Sequence, residues 1–137
     1  VTLGVDMALF NWLEEVEALV LGADTLAASG LVNKIGTAEL VRAASRHDIP
    51  RIVLCTTHKI LPTDYLTSLR FRGGSPEEIM PSSDENVSIR NQYFDLTPLG
   101  QLSTVITEEG SMEGPEIMAT LDQISTYPGL RGRPETT

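Results

Sequence analysis

The chain has 137 residues, of which 41% are hydrophobic, and this length and composition fit one folded domain with an ordinary core. Nineteen acidic residues against ten basic ones give a net charge of −9, which disfavours binding to nucleic acids or anionic membranes because both require a cationic surface. No apolar run reaches the ~20 residues of a membrane span and no leader pattern is visible, so we expect a soluble protein.

The single cysteine, Cys55, excludes an intrachain disulfide framework and favours a reducing, cytoplasmic compartment. It lies in IVLCTT, which is typical of a buried strand, so a role as a small core residue is favoured over a role as a nucleophile. His47 and His58 are far apart and lack neighbouring thiols or clustered carboxylates, so we predict no metal site and no cofactor.

The first residues, VTLGV, predict a buried strand over Val1–Val5 with Asp6 at its exit. Because this strand is already under way at a first residue that is not methionine, we expect the sequence to be a fragment of a longer protein. Met7–Glu15 carries apolar residues on one face and predicts a short amphipathic helix. Position alone leaves two roles open for Asp6, as a helix cap or as a ligand contact.

The stretch 19–37, LVLGADTLAASGLVNKIGT, contains an apolar run, a carboxylate, a loop and a helix start in succession. The apolar run suits a strand covered on both faces, and Asp24 follows where that strand ends. Ligands of open α/β sheets bind outside the carboxyl ends of the strands. Asp24 is therefore a site candidate, although a turn cap is an equally good interpretation of its position.

The end of the same stretch predicts a phosphate-binding position. Asn33 and Thr37 are the candidate N-caps of a helix expected over about 34–47. The free N–H groups and the dipole of a helix start attract an anion, and Lys34 adds a full positive charge. The glycine patterns of dinucleotide-binding and P-loop proteins are absent from this stretch, so a nucleotide of those kinds is not indicated.

Residues 51–56 are the third predicted strand, after Pro50 ends the helix. Strand, helix and strand at this spacing predict βαβ crossovers, and hence an α/β fold with a parallel sheet flanked by helices. Because parallel strands end at one edge of the sheet, Lys59 is expected in the same crevice as Asp24. On composition alone, a loop lysine such as Lys59 is more often simply solvated.

The middle of the chain is the least regular part. Residues 62–86 collect Gly, Pro, Ser and charged residues, the composition of a long loop, and Arg70 and Arg72 are expected on a solvated face. We expect a single domain over 1–126, followed by a flexible tail over 127–137.

Two further elements are predicted downstream. Asp95 and Thr97 precede a proline and have the chemistry of turns and caps. A strand is predicted at 103–107, and a helix with one apolar face at 115–125.

These segments together resemble the initiation-factor-2B-like superfamily, which includes ribose-1,5-bisphosphate isomerase, methylthioribose-1-phosphate isomerase and the regulatory subunits of translation initiation factor 2B. The resemblance is carried by GADTLAASGLVNKIGT, CTTHKILP and FDLTPLGQLSTVITEEG, and it covers roughly residues 1–125. It implies a Rossmann-like parallel sheet flanked by helices, the C-terminal half of the family's fold. The sequence departs from the family in having one residue fewer between Asp24 and Asn33.

The resemblance implies isomerisation of an aldose to a ketose, on a sugar that carries a phosphate at its anomeric carbon. Asp24 matches the family's proton donor. The family's second catalytic group is a cysteine upstream of this carboxylate, and Cys55 does not match it because it lies downstream. The resemblance therefore implies half of an active site, inactive alone.

The resemblance also implies how a ligand is held. Asn33, Lys34 and Lys59 match the family's sugar-phosphate contacts, and a similar aspartate stands in the family at the position of Asp6. The family pairs through this half of its chain, so we expect a homo-oligomer that binds a small sugar phosphate, without nucleic acid or membrane as a direct partner.

Two alternatives remain open from the sequence. The first is a non-catalytic regulatory or assembly subunit, similar to the initiation-factor subunits, that binds a sugar phosphate or nucleotide. The second is a phosphoryl-ligand domain with unrelated chemistry, which leaves the FDLTP and ITEEG segments unexplained. Asp24 favours the isomerase, because the non-catalytic subunits often replace this carboxylate.

Overall fold

A computed structural model describes residues 1–62, 73–81 and 86–124. Its regular elements are seven strands and two α-helices, joined in the described ranges by short 3₁₀ segments. In chain order they are a 3₁₀ helix Asp6–Glu15, β1 (Leu19–Leu21), β2 (Thr25–Ala27), β3 (Gly30–Lys34), α1 (Thr37–Arg46), β4 (Arg51–Leu54), the 3₁₀ turns Thr57–Lys59 and Pro76–Glu78, β5 (Phe94–Thr97), the 3₁₀ turn Leu99–Gln101, β6 (Thr104–Thr107), β7 (Gly110–Glu113) and α2 (Pro115–Gln123).

The main sheet has the strand order β1-β4-β6-β7. Its first three strands are parallel, as the βαβ spacing predicts, and the α/β fold class is confirmed. The sheet also has an antiparallel edge strand, because β7 pairs antiparallel to β6. Only Glu108 and Glu109 separate these two strands, and so short a connection permits only a hairpin.

A second, antiparallel sheet has the order β2-β3-β5. Residues between Asp24 and the helix, expected to be a loop, instead form a hairpin whose two-residue turn is Ala28 and Ser29. The predicted helix start near 34 is therefore wrong, since Lys34 is the last residue of β3 and α1 begins at Thr37.

The core lies between the main sheet and the two α-helices. Helix α1 buries Leu40, Val41 and Ala44 along one face, as its helical spacing predicts. Cys55 is buried in this core, which confirms its expected role as a small packed side chain. The main cluster consists of Ala23, Leu26, Leu31, Val41, Val53, Cys55, Leu99, Leu102, Val105, Ile117 and Leu121.

The predicted strand over Val1–Val5 is wrong, because these residues join no sheet within the described ranges and are all exposed. Gly4 lies against the ring of Trp12, so the segment folds back on the helix that follows it. That helix is present where it was expected, in 3₁₀ form, and its Leu13 packs in a second cluster with residues that include Leu40 and Ile49.

Three sequence predictions fall outside the described residues: the positions of Arg70 and Arg72, and the tail over 127–137. The downstream elements are confirmed within the described part, as β6 at Thr104–Thr107 and α2 at Pro115–Gln123. Among the helices that the structure describes, none has the length and apolar character needed to cross a bilayer.

Candidate functional site

The carboxyl ends of the parallel strands define the candidate site. Asp24 follows β1, the 3₁₀ turn Thr57–Lys59 follows β4, and Glu108 follows β6. Because these strands are parallel and adjacent, their exits lie along one edge of the main sheet.

Asp24 immediately precedes β2 and contacts β3 through its backbone. The Asp24 N–H donates to the carbonyl of Val32 at 3.0 Å, and Val32 is also the ladder partner of Thr25. On the other side of β3, Asn33 is paired with Asp95. Directly paired residues project to the same face, so Asn33 and Asp95 share one face of the small sheet.

Lys59 approaches Asp24 from the main sheet. Its Nζ donates a hydrogen bond to the carbonyl oxygen of Ala23 at 2.5 Å, which puts the ammonium beside the residue that precedes Asp24. The side chains of Asp24 and Lys59 both belong to exposed residues, so a ligand in solvent can reach them. The structure thus brings together two of the residues singled out from the sequence, and Asn33 lies on the adjacent strand β3.

Lys34 and Asp6 do not join this group. Successive side chains of a strand point to opposite faces, so Lys34 projects away from the face of Asn33. Its Nζ lies 4.8 Å from the ring centroid of Tyr93 and 5.7 Å from that of Phe94. Asp6 is exposed at the start of the first helix, where the cap residue is Val5.

The start of α1 is capped by a side chain from another part of the fold. Asp95 Oδ2 accepts hydrogen bonds from the N–H groups of Gly36 at 2.8 Å and Ala38 at 3.1 Å. Neither Asn33 nor Thr37 is the N-cap, which is Gly36 in a left-handed conformation with φ 100°. The helix-start seat predicted for a phosphate therefore already holds a carboxylate, and Asp95 has the cap role that its sequence context predicts.

Glu108 is a site component that sequence reasoning missed, although it lies in the quoted ITEEG segment. The N–H of Thr57 donates to both of its carboxylate oxygens, at 3.0 and 3.1 Å, and the Thr57 hydroxyl donates as well. The Thr57 side chain is the main reason why the pKa of Glu108 lies below its usual 4.5, followed by backbone hydrogen bonds. This clamp ties the exit of β4 to the exit of β6.

An open cleft of about 300 Å³ lies beside this clamp, between the β6–β7 hairpin and α2. It has an apolar floor and a rim of hydroxyl, amide and carboxylate groups. Its lining residues are Thr57, Ile60, Thr107, Glu109, Gly110, Ser111, Met112, Thr120, Gln123 and Ile124.

The Cys55 thiol is unsuited to act as a nucleophile. Burial raises its pKa above the usual value, an effect that the neighbouring Lys59 opposes and Glu108 reinforces. A thiol with a raised pKa stays protonated near neutral pH, and the thiolate is the reactive form.

Comparison with known proteins identifies the family to which this sequence is similar. The sequence model of the initiation factor 2 subunit family matches residues 1–114. Ribose 1,5-bisphosphate isomerase of Archaeoglobus fulgidus is 34% identical over 137 aligned residues, covering 95% of this chain and 43% of that protein. Methylthioribose-1-phosphate isomerase of Magnetococcus marinus is 38% identical over 121 residues, covering 80% of this chain and 34% of that protein.

Solved structures agree with these sequence matches. Translation initiation factor eIF-2B subunit delta from A. fulgidus superposes with a TM-score of 0.74 at 25% identity, covering 88% of this chain and 38% of that one. For 5-methylthioribose 1-phosphate isomerase from Pyrococcus horikoshii the TM-score is 0.70 at 29% identity. The superposition covers 86% of this chain and 35% of that one. The chain spans less than half the length of each of these relatives.

Proposed function

The chain belongs to the initiation factor 2 subunit family, and from this membership we propose that it is the C-terminal domain of an aldose–ketose isomerase. The substrate is a sugar 1-phosphate of the ribose 1,5-bisphosphate or methylthioribose 1-phosphate type, the substrates named for its isomerase relatives. The observation that carries the proposal is the bond from Lys59 Nζ to the Ala23 carbonyl, because it sets a cation beside the strand-end carboxylate of Asp24.

The reaction needs two proton-handling groups. A phosphate on the anomeric carbon blocks spontaneous ring opening, so the ring oxygen must be protonated as its bond to the first carbon breaks. A hydrogen then moves from the second carbon to the first, and the hydroxyl group on the second carbon gives its proton to the second group, which leaves a ketone at the second carbon. The change is internal to the sugar and needs no oxidant or reductant.

Asp24 supplies the first proton in this proposal. Its carboxyl group lies at the strand edge, where a ligand enters from solvent, and Asn33 on the adjacent strand offers an amide that can both donate and accept hydrogen bonds. Lys59 attracts the phosphate through its positive charge, and Lys34 adds its charge once its side chain leaves the rings of Tyr93 and Phe94. General acid catalysis by one such group typically contributes about 10²- to 10⁴-fold in rate.

The second group is proposed to come from outside this chain. Cys55 is buried, has a raised pKa and follows Asp24 in sequence, so it is a poor candidate. We therefore expect the 137-residue chain to show no useful isomerase activity alone. An upstream segment that carries the family's cysteine would complete the site.

A non-catalytic role is the second candidate. Its support is the superposition on a structure described as a translation initiation factor subunit, with the higher of the two TM-scores given above. In that case the same polar groups, those of Asp24, Asn33 and Lys59, bind a sugar phosphate or nucleotide without converting it. Asp24 decides between the two candidates, because only the isomerase requires its proton.

The test is ketose formation from ribose 1,5-bisphosphate and from methylthioribose 1-phosphate. We expect activity from the longer native protein that contains this chain, none from the 137-residue chain, and a loss of at least about 100-fold in the longer protein with Asp24→Asn. Asp122→Asn, an exposed carboxylate on α2, is the matched control. Turnover by the 137-residue chain contradicts the half-site, and a longer protein inert on both sugars favours the regulatory role.

A further inference from the structure

Lys34 is held by an aromatic pair on the face of the small sheet that faces away from Asn33. Its Nζ lies over the rings of Tyr93 and Phe94, at 4.8 and 5.7 Å from their centroids, and these two rings meet edge to face. Both rings present their negative faces to the ammonium, which is an attractive cation–π arrangement.

The carboxylate of Glu78 also belongs to the environment of Lys34. The Tyr93 hydroxyl donates to Glu78, and the side-chain amide of Asn91 donates to Glu78 Oε2 and to the carbonyl of Ser75, each at 2.9 Å. The backbone N–H of Gly74 donates to the Asn91 carbonyl at 2.9 Å. The segment 74–78 is thereby fixed against the residues that precede β5.

Glu78 is ionised in this position. The Tyr93 hydroxyl is the main cause of its lowered pKa, followed by Asn91, and the positive charge of Lys34 contributes in the same direction. The same contact raises the pKa of Tyr93, which keeps its hydroxyl protonated and able to donate. Lys34 therefore interacts electrostatically with the Glu78 carboxylate as well as with the rings.

We propose that Tyr93 and Glu78 compete with a bound phosphate for the Lys34 ammonium and so set the affinity of the site for its ligand. The inference rests on the proposed function, in which Lys34 contributes to phosphate binding. To reach a phosphate bound beside Asp24 and Lys59, the Lys34 side chain must leave the rings and the carboxylate. The interactions that Lys34 gives up in this movement weaken the net affinity of the site for phosphate.

The test is calorimetric titration of the 137-residue chain with ribose 1,5-bisphosphate and with inorganic phosphate. Glu78→Gln and Tyr93→Leu should each tighten bisphosphate binding about two- to fivefold, the effect of one exposed cation–π or comparable charge contact. Tyr93→Phe keeps the ring and removes only the hydroxyl, so it should give a smaller gain. Glu77→Gln removes the same charge from the neighbouring residue, whose contact is with Ser75, and is the matched control.

The gain must depend on Lys34. In a Lys34→Ala background, Glu78→Gln and Tyr93→Leu should leave the affinity unchanged, since there is no ammonium to release. Selective ¹³C-methylation of lysines gives a second readout: the ring-current shift of the Lys34 signal should disappear in Tyr93→Leu and on addition of bisphosphate.

Three outcomes are distinguishable. Tighter binding only when Lys34 is present supports the competition. Unchanged or weaker binding in both variants, with Lys34→Ala and Lys59→Ala still weakening the parent chain, overturns the competition and leaves the proposed function in place. Absence of bisphosphate binding in the parent chain and in all variants overturns both.

Discussion

Asp95 connects two distant parts of the sequence through one oxygen atom. It lies 59 residues from Gly36 and 57 from Ala38, and its Oδ2 accepts from both N–H groups at the start of α1. Removing it leaves these donors without their partner and removes a negative charge from the positive end of the helix dipole.

We predict that Asp95→Ala lowers the free energy of unfolding by about 1–2 kcal/mol. Asp95→Asn should cost less, because the amide oxygen can still accept one hydrogen bond while the charge is lost. Urea unfolding followed by circular dichroism measures both values. Asp122→Ala, which removes an exposed carboxylate on α2, is the control, and equal losses in Asp95→Ala and Asp122→Ala would argue against a cap role.

Glu108 gives the stability a specific dependence on pH. Its pKa in the folded chain is below the usual 4.5, chiefly because of the Thr57 side chain. A depressed pKa contributes stability that is fully present above the unfolded value and is lost as the pH falls through the folded value. The contribution is therefore fully present at pH 7, begins to fall near pH 4.5 and is lost as the pH passes through the lower pKa of the folded chain.

We predict that Glu108→Gln lowers stability at pH 7 and has a smaller effect at pH 3, which lies closer to the lowered pKa of the parent glutamate. Unfolding curves in urea at both pH values provide the measurement. Glu109→Gln, adjacent in sequence and without the Thr57 contacts, should show no such difference between the two pH values. An equal loss at pH 7 and pH 3 would show that the charge on Glu108 is not involved.

The sequence predicted the position in the fold of some candidate site residues and not of others, for a geometric reason. Asp24 and Lys59 could be located because both follow parallel strands, and parallel strands end at one edge. Lys34 could not, since its side-chain direction depends on whether it belongs to a helix or a strand. An Asn-Lys pair at a helix start can face one ligand together, whereas in β3 the two side chains point apart.

At the scale of elements, the β2–β3 hairpin sets the positions of Asp24 and Asn33. Gly30 is the critical residue of this hairpin, because it has a φ of 143° and lies close to β5. A Cβ at Gly30 would stand 2.5 Å from the backbone oxygen of Thr97, which cannot move without disrupting the β3–β5 ladder.

We predict that Gly30→Ala destabilises the chain by about 3 kcal/mol, combining backbone strain with overpacking. Gly22→Ala is the matched control, since no atom lies within 4 Å of its Cβ position and its φ is not in the left-handed region. Urea unfolding of both variants measures the difference. Similar stabilities for the two alanine variants would contradict the close approach between Gly30 and β5.

Local pattern predicted the elements whose partners are near in sequence. The spacing around α1 and the apolar runs of β1 and β4 form one βαβ unit, and each was found within a few residues of its expected position. The small sheet was missed because β2 is three residues long and β3 pairs with a strand about 60 residues away. The error at Val1–Val5 is the converse, because a strand was predicted where none forms. An apolar run becomes a strand only if it finds another strand to pair with.

At the scale of the whole molecule, the part of the chain that the structure describes covers one face of the main sheet. The step from β1 to β4 is a crossover through α1, and a right-handed crossover places this helix on one face of the sheet. Leu21, Val53 and Val105 point to that face, where α1 and α2 pack over them. Strands of parallel sheets are ordinarily covered on both faces.

The opposite face carries an apolar surface. The register places Val20 beside Ile52 and Leu54 beside Ile106, all directed away from the two helices. Val20, Leu54 and Ile106 are 55%, 48% and 39% exposed. An exposed apolar face of this kind needs a covering layer. The chain spans less than half the length of its relatives.

We predict that the 137-residue chain self-associates through this apolar face, because burying it removes the exposed side chains from water. Sedimentation velocity at rising protein concentration should show a dimer or larger species, and Val20→Lys combined with Leu54→Lys should shift it towards monomer. Met118→Lys, an equally exposed apolar residue on α2, should leave the association unchanged. A parent chain that stays monomeric at high concentration would contradict the prediction, whereas dissociation by Met118→Lys alone would move the contact to the helical side of the sheet.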